Sequence, residues 1–432
     1  MSTETDIGFD PLEPENPFYR VSEKDLEGGG PGSLIRFEPL SGYAAVEDAR
    51  ATYRVVYQST SAIGDRLDEP IGVSGIIAFP EQMPRVDAVP VISWAHGTVG
   101  SADKCAPSMD SDDLGEPGDS GLGLLRKINK APHKLLNAFL RAGWAVAMTD
   151  YEGLGTYGNH PYLLGESEGR GVLDIVPAAA QLAARKGYQE ISVRFAIAGH
   201  SQGGQAALFA AHIADRDEYA AHGELVGVAA LAPASNLVDG LPLAYQSPRS
   251  IGDLGAFYPL FCNGVFGGDP GIDKRQIFQD DALAQYLADY DTKARVELSL
   301  EPAWMEKPPL APLIKENGIF RTQIQLDDPD RKAAWDRYWA QVAGFNPAKR
   351  ITVPIRVSQA LGDARVNPAN TEKLLGQLAE FEGHGPITPV VYPVGTVAVP
   401  DPALLGEHFG LLVDDTEIND IVGWIGERLD RG

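Results

Sequence analysis

Several things are scarce in this 432-residue chain, and each scarcity narrows what it can be. There are two cysteines, Cys105 and Cys262, whose spacing makes no metal site; composition alone reads them as buried free thiols. No stretch reaches the roughly 20 consecutive apolar residues that a bilayer-spanning helix needs, so integral membrane insertion is not expected. The N-terminal stretch MSTETDIGFDPLEPENPFYR has neither a basic start nor an apolar core. No secretory signal is visible in it, and the compartment stays open between the cytoplasm and export with a signal removed. Basic residues are outnumbered, 36 against 60 acidic, for a formal charge of −24. That balance argues against a nucleic-acid partner and against an anionic membrane surface, and the plain reading is a solvated acidic exterior. Internal repeats and low-complexity tracts are also missing. What remains, 44% hydrophobic and 22% charged residues, is the composition of a soluble globular protein long enough for one α/β domain and a large insertion.

Residues 1–50 are rich in Pro, Gly, Glu and Asp, with EPENP and GGGPGS as punctuation, and read as an N-terminal arm lying over the domain. From Ala51, TYRVVYQS and IGVSGIIAFP form the pattern of an antiparallel hairpin. Val89 to Trp94 is a short buried strand that delivers a loop at Ala95-His96-Gly97-Thr98. Lys134 to Ala142 reads as an amphipathic helix, GWAVAMTDYEG as a strand, Arg170 to Arg185 as a helix and Leu225 to Pro233 as another strand. Such alternation is the signature of a mainly parallel sheet covered by helices on both faces. The rhythm breaks over residues 235–350, where LGAFYPLFCNGVFGG and PAWMEKPPLAP mix aromatics and prolines without it. This stretch is expected to be a largely helical cap or lid inserted between two parts of the core, 51–234 and 351–432. The sheet pattern resumes at ITVPIRVSQALGD and TPVVYPVG, and a last helix is expected over Thr416 to Leu429.

The most informative stretch is Val193 to Ala214. Gly199-His200-Ser201-Gln202-Gly203 fits G-x-S-x-G, in which the serine sits on a strained strand-to-helix turn with its hydroxyl exposed. A five-residue match is common by chance in a chain with 47 glycines. Here an apolar strand precedes it and alanines at helical spacing follow it, which is the context the motif requires. Gly199 and Gly203 are expected to let strand and helix approach closely.

A serine hydroxyl is a weak nucleophile and needs a base within hydrogen-bond reach, itself oriented by a third group. On this kind of sheet the order along the chain is Ser, then Asp or Glu, then His. Two histidines lie beyond the cap. His384 precedes the last predicted strand and belongs to its wrong end, whereas His408 follows that strand and is the expected base. Asp363 ends the strand ITVPIRVSQAL and is the expected acid, although Asp also fills turn and cap positions constantly. Asp401, Asp414 and Asp415 compete, but all lie on the His408 side of the last strand. The amides that stabilise a tetrahedral oxyanion are expected from Gln202 and from the early loop, Thr98 first and Gly97 second. His96 and His200 are expected to brace backbone. No cofactor or metal is implied.

AHGT, then DKCAPS at Asp103 to Ser108, then TDYEGLGTYGNHPYLLGESEGRGVLD at Thr149 to Asp174, and GHSQGGQAA together resemble the secretory lipase family of the Candida antarctica lipase A type. The middle block, with DYEGLG, HPYL and SEG, is far more specific than the elbow motif. The resemblance implies the α/β-hydrolase fold with a cap, and a serine carboxylic-ester hydrolase, esterase or lipase, forming an acyl-enzyme on Ser201 with Asp363 and His408. The substrate would be a small-molecule or lipid ester. It also implies a Cys105–Cys262 disulfide, as in similar exported enzymes. Two other functions fit the same residues: an acyltransferase with the same triad, and a non-catalytic hydrolase-fold protein holding an apolar ligand under the cap.

Overall fold

The computed structural model describes residues 14–81, 88–110, 121–237, 255–305, 320, 328–399 and 406–430. Among these, nine strands form one sheet in the order β1-β2-β3-β5-β4-β6-β7-β8-β9. They are β1 Leu34–Leu40, β2 Ala49–Thr60, β3 Pro70–Pro80, β4 Val89–Ala95, β5 Ala145–Thr149, β6 Ile191–His200, β7 Glu224–Leu231, β8 Ile355–Ala360 and β9 Ile387–Tyr392. The first three pair antiparallel, and β3 joins β5 antiparallel. From β5 onward every pairing is parallel. The C-terminal ends of β4, β6, β7, β8 and β9 therefore open on one edge, where ligands bind in sheets of this kind.

Burial on both faces explains why the central strands read as continuous apolar runs. Every residue of β5 and β8 is buried, and in β4 all but Pro90. Alternate side chains feed two cores. One face packs on helices Gly165–Lys186, Gln202–Ile213 and Pro368–Ala379, and the other on Gly121–Lys130, His133–Arg141 and Asp415–Leu429. Val91 and Ile197 go to the first, Ile92 and Ala198 to the second.

Between β7 and β8, helices Phe257–Gly268, Asp280–Asp289 and Pro329–Gly344 build a third cluster around Phe278, Tyr286, Trp335 and Tyr338. Tyr162 and Leu163 of the core are part of it. Contact is tight enough that a Cβ on Gly264 would lie 1.9 Å from the carbonyl oxygen of Tyr162. Of PAWMEKPPLAP, Pro302–Met305 forms a helical turn, and the rest lies outside the described residues.

The structure differs from the sequence expectations at three places. The sheet begins at Leu34, inside the stretch read as an arm, because β1 pairs along β2 and Glu38 meets Arg54 across the register. As an edge strand it is mostly half-buried, so its alternation is faint beside the surrounding glycines and prolines. Helices Gly121–Lys130 and Pro368–Ala379 were not anticipated. The second does carry a start signal, since the Asn367 side chain accepts from the Ala369 amide and Pro368 opens the first turn. Lastly, Cys105 and Cys262 are both free and buried, which corrects the disulfide. They pack in different clusters, Cys105 with the core face beside Gly100 and Cys262 in the helical cluster, 3.9 Å from the Tyr338 hydroxyl. Burial pushes the Cys105 thiol up to about 12 and Cys262 higher still, so neither is a ready thiolate.

Candidate active site

β6 ends at His200, and Ser201 turns the chain directly into helix Gln202–Ile213. The turn is strained at the serine itself, with φ 60° and ψ −117°, a conformation costly for a residue with a Cβ. It is held from three sides. The Ser201 amide donates to Leu231 O at 2.9 Å, and its carbonyl accepts from the Ala234 and Gln205 amides, each at 3.1 Å. The flanking glycines do not absorb the strain; they permit proximity. A Cβ on Gly203 would sit 1.9 Å from Ala95 O, and one on Gly199 would sit 2.1 Å from Gly203 O. The helix therefore starts flush against the ends of β4 and β6, with Ser201 at the open edge.

Asp363 and His408 meet there. The buried His408 Nδ1 donates to Asp363 Oδ2 at 2.7 Å, a partner that fixes the tautomer and leaves Nε2 as the ring nitrogen available to a reactant. Burial alone would raise the Asp363 carboxyl. The His408 imidazole and the amides of Val366 and Arg365 outweigh it and hold the pKa below the ordinary value. Glu407 joins the two loops: its carboxylate accepts from the Gly362 amide at 2.9 Å and from the Gly395 amide. The competitors are occupied elsewhere or undescribed. Asp414 caps the last helix, Asp415 pairs with Lys134, and Asp401 lies outside the described residues. His384 precedes β9 and belongs to the opposite edge.

Ser201 and His408 border one cavity with His96, Gly97, Thr98 and His200. Ser201 Oγ forms no hydrogen bond to His408 in this structure, an arrangement common before substrate tightens such contacts. A Cβ on Gly97 would lie 3.6 Å from that of Ser201, so the early loop runs beside the serine. Thr98 is pinned through its hydroxyl to that of Tyr162 at 2.8 Å. His96 donates from Nδ1 to Gly97 O at 2.7 Å, while its own carbonyl accepts from the Tyr151 hydroxyl. His200 donates from Nε2 to His408 O at 2.9 Å and packs against the His408 ring. Burial lowers His96 to about 4 and His200 to about 3, so both brace backbone as neutral imidazoles.

The motif search missed a set of buried acids behind the serine, and they are what the DYEG and SEG blocks supply. Asp150 accepts from the hydroxyls of Ser74 and Ser108, tying down the loop after β4. Glu152 accepts from Ser61, Ser167 and the Ala62 amide. Glu168, fully buried, accepts at Oε1 from Gln202 Nε2 at 2.7 Å and from the Leu163 amide at 2.8 Å. Gln202 Nε2 also donates to His160 Nε2, whose Nδ1 donates to Glu152 O. The residue after Ser201 is thus clamped by its side chain while its backbone amide opens the helix. Burial pushes Glu168 up to about 8, so it is a neutral acid at neutral pH. Among the described residues no helix is long and apolar enough to cross a membrane.

With the fold and this geometry in hand, the similarities to known proteins can be placed. A model of the secretory lipase family matches residues 128–263. Lipase A of Arthroderma benhamiae is 27% identical over 286 residues, which are 64% of this chain and 54% of that protein. The match thus spans about half the length of that relative. Among solved structures, the rice cell wall degrading esterase LipA from Xanthomonas oryzae superposes with a TM-score of 0.65 at 17% identity, over 93% of this chain and 100% of the other. Candida antarctica lipase A in its closed state gives 0.62 at 16% identity, over 88% and 80%. At such identities these structures speak to the fold, which is that of the α/β-hydrolases.

Proposed function

We propose, from the premise that this chain is a secretory-lipase-like α/β-hydrolase, that it hydrolyses carboxylic esters through an acyl-enzyme on Ser201. Ser201 Oγ attacks the ester carbonyl carbon as His408 Nε2 takes its proton. The tetrahedral oxyanion is held by the amides of Gln202 and of Thr98 or Gly97, each donor of this kind being worth about 3 kcal/mol. The intermediate collapses, His408 protonates the departing alkoxide, and the acyl group stays on Ser201. Water, activated by the same imidazole, then attacks the acyl-enzyme and releases the acid. Asp363 orients His408 and stabilises the imidazolium.

The observation that carries this reading is the 2.7 Å Asp363–His408 hydrogen bond beside the cavity that Ser201 enters in a strained conformation. Residues 235–350 act as the cap, contributing Phe257 and Arg295 to the cavity wall. The mainly apolar lining suits an acyl chain, as in a carboxylesterase or a triacylglycerol lipase. A phosphonate ester probe tests the reaction class. One label per chain, mapped to Ser201 and abolished in Ser201→Ala, is expected, whereas an unlabelled but folded chain would overturn it. Rates on p-nitrophenyl esters of increasing acyl length and on triglyceride emulsions then separate esterase from lipase.

A further inference from the structure

The cavity that Ser201 and His408 border has a positively charged wall. Arg295, from the cap, and Arg365, two residues after Asp363, both line it, and among the described residues that line it there is no carboxylate. That balance runs against the chain as a whole, which has 60 acidic residues to 36 basic. Ring contacts fix where the two charges lie. The guanidinium carbons of Arg295 and Arg365 stand 5.6 and 6.0 Å from the centre of the Phe257 ring, and that of Arg365 stands 6.0 Å from the centre of the Phe409 ring as well. Both rings belong to the same wall, and the Phe409 ring lies edge-on to the His408 imidazole with centres 5.4 Å apart. Burial raises the pKa of the Tyr162 hydroxyl, the partner of Thr98, and both arginines oppose that rise, so their charge is felt at the oxyanion loop too. Each guanidinium has other interactions within the chain. With five N–H donors apiece, one partner exhausts neither.

The carboxylates that neighbour these residues are engaged elsewhere. Asp363 is bound to His408, Glu407 to the Gly362 and Gly395 amides, and Asp110 to Arg126 at 3.0 Å, and none of the three lines the cavity. Two cations on this wall oppose the imidazolium that forms on His408 as Ser201 attacks, and a neutral ester leaves that opposition in place. We infer that Arg295 and Arg365 select esters that carry a carboxylate besides the ester group, such as hemiesters of dicarboxylic acids or O-acyl derivatives of hydroxy acids; this rests on the ester-hydrolase reading above. A carboxylate at the wall offsets the two charges, and its geometry matches the guanidinium fork. Attraction of this kind acts through a low-dielectric wall over several ångströms, without a direct bond. A substrate ammonium would be repelled over the same range.

The test compares three methyl esters of matched length on the wild-type enzyme, ending in a carboxylate, a neutral carboxamide or an ammonium, over a series of chain lengths. A second arm puts the same three end groups on the alcohol side of an acetate ester. In at least one arm kcat/KM is expected to fall in the order carboxylate, carboxamide, ammonium, with about 10-fold between the first two. Arg295→Met and Arg365→Met should each reduce that ratio, the double variant should abolish it, and Arg365→Lys, which keeps the charge, should retain most of it. Because the readout is a ratio on one enzyme preparation, partial loss of folded protein cancels. If the arginines only staple Phe257 to the core or only assist the oxyanion, rates on carboxylate and carboxamide esters fall together and the ratio does not move, which overturns the inference. Equal or inverted preference in both arms, with the esters hydrolysed, also overturns it and leaves the ester reading standing. No hydrolysis of any ester, with Ser201 unlabelled, overturns both.

Discussion

Two buried aspartate–histidine pairs occur among the described residues, and their settings differ more than their geometry. His408 Nδ1 donates to Asp363 at 2.7 Å, and His222 Nε2 donates to Asp174 at 2.8 Å. Both carboxylates are fully buried and both imidazoles nearly so. Asp363, however, also accepts two backbone amides, and its pKa is lowered. Asp174 has the Ser59 hydroxyl beside its histidine, and burial leaves its pKa raised. The second ring nitrogen differs too. That of His408 belongs to a ring bordering the cavity with Ser201, whereas His222 Nδ1 is buried without a partner and its ring packs edge-on against Tyr219. A carboxylate–imidazole bond thus carries no catalytic meaning by itself. What distinguishes the proposed site is aligned amides on the acid and a histidine that lines the same cavity as a strained serine.

The largest effect should come from exchanging the two pairs as targets. His408→Ala is expected to lower kcat on a p-nitrophenyl ester by about 10,000-fold or more, the scale seen when a triad base is removed. His222→Ala should leave kcat within about 3-fold and instead lower Tm, because Asp174 loses its partner in a dry site, at about 1–3 kcal/mol. Steady-state kinetics and a melting curve on each variant check this. Comparable kcat losses in both would erase the distinction between a working pair and a structural one.

A smaller effect sharpens why the proposed catalytic pair is placed as it is. Glu407 spans from the histidine loop to Gly362, next to the acid, and the fit is close: a Cβ on Gly362 would lie 2.4 Å from the carboxylate. Glu407→Ala should lower kcat by about 10–100-fold with little change in KM, since misplacing a base by about 1 Å costs rates of that order. Glu407→Gln, which keeps one acceptor, should recover part of it. Equal kcat in all three would mean that Asp363 alone orients His408.

Sequence periodicity made the parallel core legible because its strands are apolar on both faces and its helices follow at regular intervals. Ser201, Asp363 and His408 could be named because each follows a strand whose end lies at the same edge, and the order Ser–Asp–His is a property of chain direction. The supports were not legible. Glu168, Glu152 and Asp150 are ordinary acids by residue type, and nothing in local spacing says that they are buried beneath the serine turn. The strain also falls on Ser201 rather than on the motif glycines, which follows from where helix Gln202–Ile213 abuts Ala95, a contact between distant segments. The pairing of β1 and the separation of the two cysteines are likewise set by tertiary packing that no local pattern encodes.

Glu168 offers the finest distinction, between a buried acid that is used as an ion and one that is not. Asp363 is held charged; Glu168 is held neutral, its carboxyl raised by burial from 4.5 to about 8. A carboxyl whose folded pKa lies above its unfolded value stabilises the fold fully below the unfolded value, and that contribution is lost as pH rises through the folded one. Wild-type stability should therefore carry a loss that grows from about pH 4.5 to about pH 8 and then levels off. Glu168→Gln removes the titration. It keeps an oxygen to accept from Gln202 and the Leu163 amide, and puts an uncharged amide nitrogen where Oε2 has no partner. The variant is expected to retain kcat within about 3-fold and to lose less Tm than wild type between pH 5 and pH 9. Glu168→Leu, which cannot accept at all, should free the Gln202 side chain and lower kcat at every pH. Parallel Tm-against-pH curves for wild type and Glu168→Gln would show that Glu168 is ionised in the folded protein, and the contrast with Asp363 would then rest on hydrogen-bond partners alone.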